Sequence, residues 1–159
     1  MQVNTASTLS SIATLPLSRS PPETPTLIAD TGCSAHFVTT THPLNNIQPT
    51  NSPTHIRLPD GNYMLSTHEG ELDIPALPLS ARLAHVVPAL TDQSLISIGQ
   101  LCDSGCDVTF NATSVNVTLE GNPIFSGTRN ATTKLWNLTA PKISHANGAI
   151  GAPTASNLL

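Results

Sequence analysis

The Asp30-Thr31-Gly32 sequence has the clearest capacity for chemistry, because it directly follows the apolar run Leu27-Ile28-Ala29. An ionised carboxylate is costly inside an apolar strand, so we expect a turn to expose Asp30 to a cleft. There it can act as a general acid or base. Gly32 permits unusual backbone angles, and the Thr31 hydroxyl can hydrogen-bond to a neighbouring loop. The tripeptide alone also fits an ordinary Asx turn, in which Asp30 and Gly32 serve only the backbone.

A second group of side chains could bind a metal ion. Cys33 and His36, together with Cys102 and Cys106, could supply four zinc ligands. Small buried cysteines are frequent in protein cores, however, and an odd total of three cysteines fits reduced thiols better than a disulfide framework. We therefore expect neither a metal ion nor a cofactor, and a small zinc-binding module stays open as an alternative.

The elements that would position these residues are short β-strands. Apolar and polar residues alternate over brief segments separated by Gly, Pro, Asn and Asp, and the 14 prolines exclude long helices. Leu95, Ile98 and Leu101 are spaced by three, which predicts one short helix over residues 98–103. The predicted strands, which together indicate a closed or sandwiched all-β fold, are 26–29, 37–38, 55–58, 63–65, 69–74, 82–87, 107–110, 115–119, 123–125 and 134–138, and a further apolar strand from Ser94 leads into the helix.

Length and charge narrow the function classes. The 159 residues fit one folded domain, and a charged fraction of 10% argues against coiled coils. The net charge is −4 and the six Lys and Arg residues are scattered, so we expect no nucleic-acid partner. No signal peptide and no apolar run of membrane-spanning length occurs, which predicts a cytoplasmic protein without a membrane partner. Residues 1–25 are predicted to be a disordered leader rich in Ser, Thr and Pro, and residues 142–159 a flexible tail.

Four sequence motifs occur in an order that resembles the retropepsin-like aspartic proteases. They are DTGCSAHF at residues 30–37, LPDG at 58–61, PAL at 88–90 with SLISIGQL at 94–101, and GCDVTF at 105–110. The likeness is closer to the protease region of Copia-type retrotransposon polyproteins, and it covers about residues 26–138. It implies a retropepsin-like protease domain over residues 26–110, followed by a C-terminal β-hairpin extension over residues 111–141.

The resemblance implies an aspartic endopeptidase in which Asp30 is the catalytic carboxylate. Because the chain supplies one such aspartate, two copies would have to form a homodimer. The paired Asp30 carboxylates would share a proton and activate the water that attacks a peptide bond. Thr31 would link the two active-site loops across the interface, and Gly32 would leave room for water and substrate. The substrate would be an extended segment of the retrotransposon polyprotein.

The same resemblance implies supporting roles for two other pairs of residues. Ile98 and Gly99 would pack behind the active-site loop. Asp60 and Gly61 would form the tip of a flap that closes over the peptide, and the hairpin ending near Gly70 is a rival for the flap. The segment Asp103-Ser104-Gly105-Cys106 echoes the first motif, but no second lobe follows it, so we do not expect a single-chain, two-lobe enzyme.

The sequence also departs from the pattern. Cys33 stands where alanine or serine is commoner, which places a thiol beside the active site. The zinc knuckle and integrase of such polyproteins are missing, which implies a fragment or a degraded copy. A catalytically silent β module, serving assembly or persisting as a genomic relic, is therefore the alternative from a different class. The intact Asp30-Thr31-Gly32 favours the enzyme.

Overall fold

Short β-strands form most of the structure, as the sequence predicts. A computed structural model describes residues 26–140, so the predicted leader and the predicted tail lie outside the described residues. The all-β fold class is confirmed for the described part of the chain. Its strands are β1 (Thr26–Asp30), β2 (His36–Val38), β3 (Leu44–Pro49), β4 (His55–Arg57), β5 (Tyr63–Leu65), β6 (His68–Leu72), β7 (Leu83–Val86), β8 (Gln93–Ser97), β9 (Cys106–Phe110), β10 (Ser114–Leu119), β11 (Asn122–Arg129) and β12 (Trp136–Thr139).

The helical structure between residues 26 and 140 is short. A 3₁₀ turn, Leu79–Ala81, precedes β7, and the α-helix α1 (Ile98–Asp103) follows β8 at the predicted position. Ser97 caps α1, since its side chain accepts a hydrogen bond from the Gln100 N–H. After the helix, Gly105 has a φ of +89°, a conformation that favours glycine. No helix in this range is long and apolar enough to span a membrane.

The centre of the main sheet determines where Asp30 lies. Ten strands form this sheet in the order β3-β6-β7-β2-β8-β1-β12-β11-β10-β9, and β4 and β5 form a separate hairpin. β8 therefore lies between β1, to which it is parallel, and β2, to which it is antiparallel. Asp30 is level with Ser97 at the ends of β1 and β8. The loop of residues 31–35 must consequently cross the end of β8 to reach β2.

One apolar core joins the two halves of the chain. Its members include Val38 and Leu72 from the first half and Ile96, Val115 and Phe125 from the second, each at most 1% exposed. Alternation along β10 buries Val115 and Val117 on one face, as expected for a strand with one solvated face. The core therefore extends from the sheet centre near Asp30 to the C-terminal strands.

The C-terminal segment belongs to the same sheet as Asp30. β10 and β11 form the predicted hairpin around residues 120–122, and β12 then pairs antiparallel with both β11 and β1. The backbones of β11 and β12 approach so closely that a Cβ at Gly127 would collide with the Asn137 carbonyl group. Residues 111–140 thus complete the sheet beside the strand that carries Asp30.

Two features of the sheet differ from the sequence prediction. β3 has no predicted counterpart, because its exposed residues lack apolar alternation and pairing with β6 holds them at the sheet edge. Gly70, the rival flap position, lies buried inside β6, so it is not a hairpin tip. A Cβ at Gly70 would lie 3.0 Å from the Asn45 carbonyl oxygen, so the close approach of β3 explains this glycine.

Candidate active site

The Asp30 carboxylate lies at the end of β1, where the strand leaves the sheet. Its Oδ1 atom accepts a hydrogen bond of 2.7 Å from the Gly32 N–H, which is the Asx-type contact that the tripeptide alone predicts. Asp30 is half-buried, whereas Thr31 and Gly32 are exposed. A Cβ at Gly32 would lie 3.3 Å from Oδ1, so a larger residue would press on the carboxylate. The turn therefore orients Asp30 and also leaves it accessible.

A cleft of about 380 Å³ opens beside this carboxylate. The loop supplies one wall through Asp30, Gly32 and Ser34, and the hairpin of β4 and β5 supplies the opposite wall. The apolar side chains in the lining make the cleft suitable for an apolar ligand group: Phe37, Ile56, Leu58, Met64 and Leu95. His55 and Arg57 add basic groups at the hairpin. Among residues 26–140, Asp30 is the only carboxylate in this lining.

The tip of the β4–β5 hairpin is a tight turn. The Leu58 N–H donates to the Asn62 carbonyl oxygen at 2.8 Å, and Gly61 has a φ of +88°. The Asp60 carboxylate accepts hydrogen bonds from the backbone and side-chain N–H groups of Asn62, which hold the pKa of Asp60 below its usual value. Asp60 and Gly61 shape this turn, but Leu58 and Pro59 are the turn residues that line the cleft.

His36 and Cys33 are unsuited to the alternative chemistries that their residue types allow. His36 Nδ1 accepts from the Ser97 N–H at 2.9 Å and Nε2 donates to the Ala81 carbonyl oxygen at 3.0 Å, so both ring nitrogens are used. Burial lowers the pKa of His36 to about 4, which keeps the ring neutral. Burial, followed by the charge of Asp30, raises the pKa of Cys33 to about 12, so the thiol is a poor nucleophile at neutral pH.

The zinc alternative fails on this geometry. A His36 ring with both nitrogens in hydrogen bonds has no lone pair left for a metal ion. Between residues 26 and 140, no group of three or more His, Cys, Asp or Glu side chains is arranged to hold a metal ion. The four ligands proposed from the sequence are therefore not brought together.

The residues behind the loop differ from the expected pair. Ile98 is buried in the apolar core, and Gly99 is exposed on α1. The direct contact with the loop comes from the preceding residue, because Ser97 Oγ donates to the Cys33 carbonyl oxygen at 2.7 Å. Sequence reasoning missed Ser97 and Gln100, although a serine before a helical segment is a recognisable N-cap signal.

The second motif with an aspartate and a glycine does not form a site. Asp103 is the last residue of α1 and is exposed, and Ser104 and Gly105 terminate the helix. The Ser104 N–H donates to the Leu101 carbonyl oxygen and the Gly105 N–H to that of Cys102. This segment therefore ends a helix, whereas Asp30 ends a β-strand beside a cleft.

We compared the chain with known protein families, curated proteins and solved structures. Neither the family models, nor the curated proteins, nor the solved structures gave a match to this chain.

Proposed function

We propose that this chain is one half of a homodimeric aspartic endopeptidase of the retropepsin type, and that it derives from a Copia-type retrotransposon polyprotein. The observation that carries the proposal is the cleft between the Asp30 loop and the β4–β5 hairpin, with a half-buried carboxylate on one wall and apolar side chains around it. The sequence resemblance over the four motifs supports the same function independently.

The need for a second copy follows from the charges of the cleft. Peptide hydrolysis by carboxylates requires one group to accept a proton from water and another to protonate the peptide. Within the described part of the chain, Asp30 is the only carboxylate that lines the cleft, so this part supplies half of the pair. Thr31 and Gly32 begin the loop directly after β1 and are exposed, so a second loop can meet them.

In the proposed dimer, two Asp30 carboxylates share one proton because like charges at close range cannot both ionise easily. The ionised carboxylate removes a proton from water as the oxygen of that water attacks the peptide carbonyl carbon. The protonated carboxylate gives its proton to the carbonyl oxygen. Gly32 leaves space for these groups, and its N–H fixes one oxygen of Asp30.

The hairpin suits an extended peptide substrate. β4 and β5 pair only with each other among the described residues, so each has a free outer edge that can hydrogen-bond to an extended backbone. Ile56 and Met64 face each other in register and both line the cleft, where they can contact an apolar side chain of the peptide. Asp60 and Gly61 would set the turn of this flap.

Asp30→Asn tests the proposal against a matched control, Asp103→Asn, in the second Asp-Ser-Gly segment. We expect Asp30→Asn to lower cleavage of a peptide library by about 10³-fold, since a general acid–base group is lost. Asp103→Asn should cleave like the parent. Sedimentation should show a dimer at micromolar concentration.

Other outcomes identify the alternative. A parent that cleaves no peptide and remains a monomer would favour the catalytically silent β module. Equal cleavage by Asp30→Asn and the parent would exclude Asp30 as the catalytic group. An integrase-like His/Cys motif in the reading frame after Leu159 would support the retrotransposon origin.

A further inference from the structure

We propose that Gln100 is a positioning residue for Asp30. The Gln100 side chain bonds to the His36 N–H and the Gln100 backbone N–H bonds to Ser97 Oγ, and together these contacts hold the loop of residues 31–35 in the conformation that presents the Asp30 carboxylate to the cleft. The three side chains, called here the β8–α1 clamp, touch the loop from behind and do not line the cleft. The catalytic consequence of the clamp rests on the function proposed above, whereas the ordering of the loop does not.

Gln100 connects three segments that are distant in sequence. Its Oε1 accepts from the His36 N–H at 3.0 Å, at the point where the loop enters β2. Its Nε2 donates to the carbonyl oxygens of Ser80 at 2.8 Å and Leu83 at 2.9 Å, which flank the start of β7. All hydrogen-bonding atoms of this amide are therefore used, and the side-chain orientation is fixed.

Ser97 carries the connection from the helix to the loop. Its Oγ accepts from the Gln100 N–H at 3.1 Å and donates to the Cys33 carbonyl oxygen at 2.7 Å. The hydroxyl thus caps α1 and holds the middle of the loop with the same atom. Since Ser97 is level with Asp30 in the parallel pair of β8 and β1, this contact lies directly beside the base of the catalytic carboxylate.

His36 completes the clamp at the far end of the loop. Both His36 and Ser97 are 0% exposed, so their polar atoms need protein partners. The Ser97 N–H donates to His36 Nδ1, and the His36 Nε2–H donates to the Ala81 carbonyl oxygen. This arrangement requires the neutral ring with its proton on Nε2. The loop is consequently anchored at residues 33 and 36 to the junction of β8 and α1, while Thr31 and Gly32 remain exposed.

The three cysteines provide a direct measurement of loop order in the full chain. Cys33 is a half-buried thiol within the loop, Cys102 is exposed on α1, and Cys106 is buried in the core. In Gln100→Met, which keeps the side-chain length and the backbone N–H bond to Ser97 Oγ but removes the three side-chain hydrogen bonds, we expect Cys33 to react with a thiol reagent at least tenfold faster. Cys106 should react as slowly as in the parent. Gln48→Met is the matched control, because it removes an exposed bond of 3.0 Å from Gln48 on β3 to Glu69 on β6.

The pattern of reactivity separates positioning from general destabilisation. An unchanged Cys33 rate would overturn the proposal, and so would equal increases at Cys33 and Cys106, because these would show loosening of the whole core. Gln100→Glu keeps the acceptor for the His36 N–H but loses both amide donors, so its Cys33 rate should be intermediate. In the unmodified chain, NMR of the His36 ring should show the Nε2–H form at neutral pH, and the Nδ1–H form would also overturn the proposal.

Activity gives the second, distinguishable readout. If the chain cleaves peptides, Gln100→Met should lower kcat about tenfold and leave KM within twofold, because the side chains that line the cleft are untouched. Gln48→Met should change neither constant. If the parent cleaves no peptide and yet shows the expected thiol reactivity, the proposed function would be wrong and the clamp would be supported. An active parent whose kcat is unaffected by Gln100→Met would overturn the clamp and retain the function.

Discussion

The strands around Asp30 and the C-terminal hairpin of β10 and β11 are stabilised in different ways. Around Asp30, five polar residues are buried within the range 36–97: His36, Thr39, Ser66, Ser94 and Ser97. In residues 106–139, the buried side chains are all apolar, with Val115, Val117, Ile124 and Phe125 at most 1% exposed. The region around Asp30 adds buried hydrogen bonds with fixed partners to its apolar core, whereas the buried side chains of the C-terminal region are apolar throughout.

This contrast has a physical consequence. Apolar burial is roughly proportional to area and tolerates several packings, whereas a buried polar group must meet one partner in one orientation. Ser94 Oγ accepts from the Thr39 N–H at 3.1 Å, and Ser66 Oγ accepts from the Thr54 N–H at 2.8 Å at the base of the hairpin. The buried polar groups therefore define the geometry of the cleft, while the apolar side chains of both regions contribute to the free energy of folding.

The largest expected effect on the free energy of unfolding comes from removing an apolar side chain of the C-terminal core, and we compare it with removing one from the β4–β5 hairpin. Phe125→Ala should lower the free energy of unfolding by about 3–5 kcal/mol, because it empties a fully buried site in the core. Met64→Ala should cost less than about 1 kcal/mol, since Met64 is half-buried on a hairpin outside the main sheet. Urea unfolding of both variants checks the difference. Equal losses would show that the hairpin belongs to the same cooperative core.

The second prediction concerns the pH dependence of stability and tests the buried polar residues around Asp30. The pKa of His36 is lowered by burial from 6.5 to about 4 in the folded chain. Between these values the unfolded chain binds a proton that the folded chain does not, so stability is full above pH 6.5 and falls as the pH decreases towards 4. The loss should approach about 3 kcal/mol. Burial also lowers the pKa of His42, which adds a change of the same sign.

Urea unfolding of the parent, His36→Gln and His55→Gln at pH 7 and pH 4.5 isolates the contribution of His36. His36→Gln should lose most of this pH dependence, although it is less stable at pH 7. His55→Gln should retain the dependence, because His55 is exposed on β4. A parent whose stability is the same at both pH values would contradict the buried neutral ring.

The same comparison explains which parts of the molecule were predictable from sequence. Helix 98–103, the turn around Gly61 and the β10–β11 hairpin depend on residues close in sequence, and the structure confirms each of these elements. β3 depends on long-range pairing with β6, and β12 takes its place between β11 and β1 by contacts with strands far away in the chain. Alternation within those segments carries little information about such pairing.

The candidate site also combines residues that local sequence signals identify with residues that only long-range contacts bring together. Asp30 and the hairpin were recognisable because a carboxylate after an apolar run and a Pro-Asp-Gly turn are local signals. The partners of Gln100 are 64 residues away at His36, 20 at Ser80 and 17 at Leu83. Nothing in the residue type of a glutamine on a short helix indicates these contacts. Packing of β8 between β1 and β2 creates them.

The smallest expected changes in the free energy of unfolding come from replacing the glycines in the turns of the two hairpins. Gly61 and Gly121 have φ angles of +88° and +78°, and a Cβ at either would meet no atom within 4 Å. Alanine there has steric room but an unfavourable backbone angle, so Gly121→Ala should lower the free energy of unfolding by about 1 kcal/mol. Gly61→Ala should cost less in global stability, because its two-stranded hairpin can adjust without breaking the main sheet.

Gly99→Ala supplies a control of opposite sign for these two variants. Gly99 is exposed on α1, and the nearest atom to an added Cβ is Ser97 Oγ at 3.7 Å, an ordinary contact distance. Alanine favours the helix by up to about 1 kcal/mol relative to glycine, so this variant should be at least as stable as the parent. Thermal unfolding of the three variants ranks them directly. If Gly61→Ala destabilised the chain as much as Gly121→Ala, the two hairpins would be equally integrated into the fold, and the β4–β5 hairpin would lack the independence that a flap over the Asp30 cleft requires.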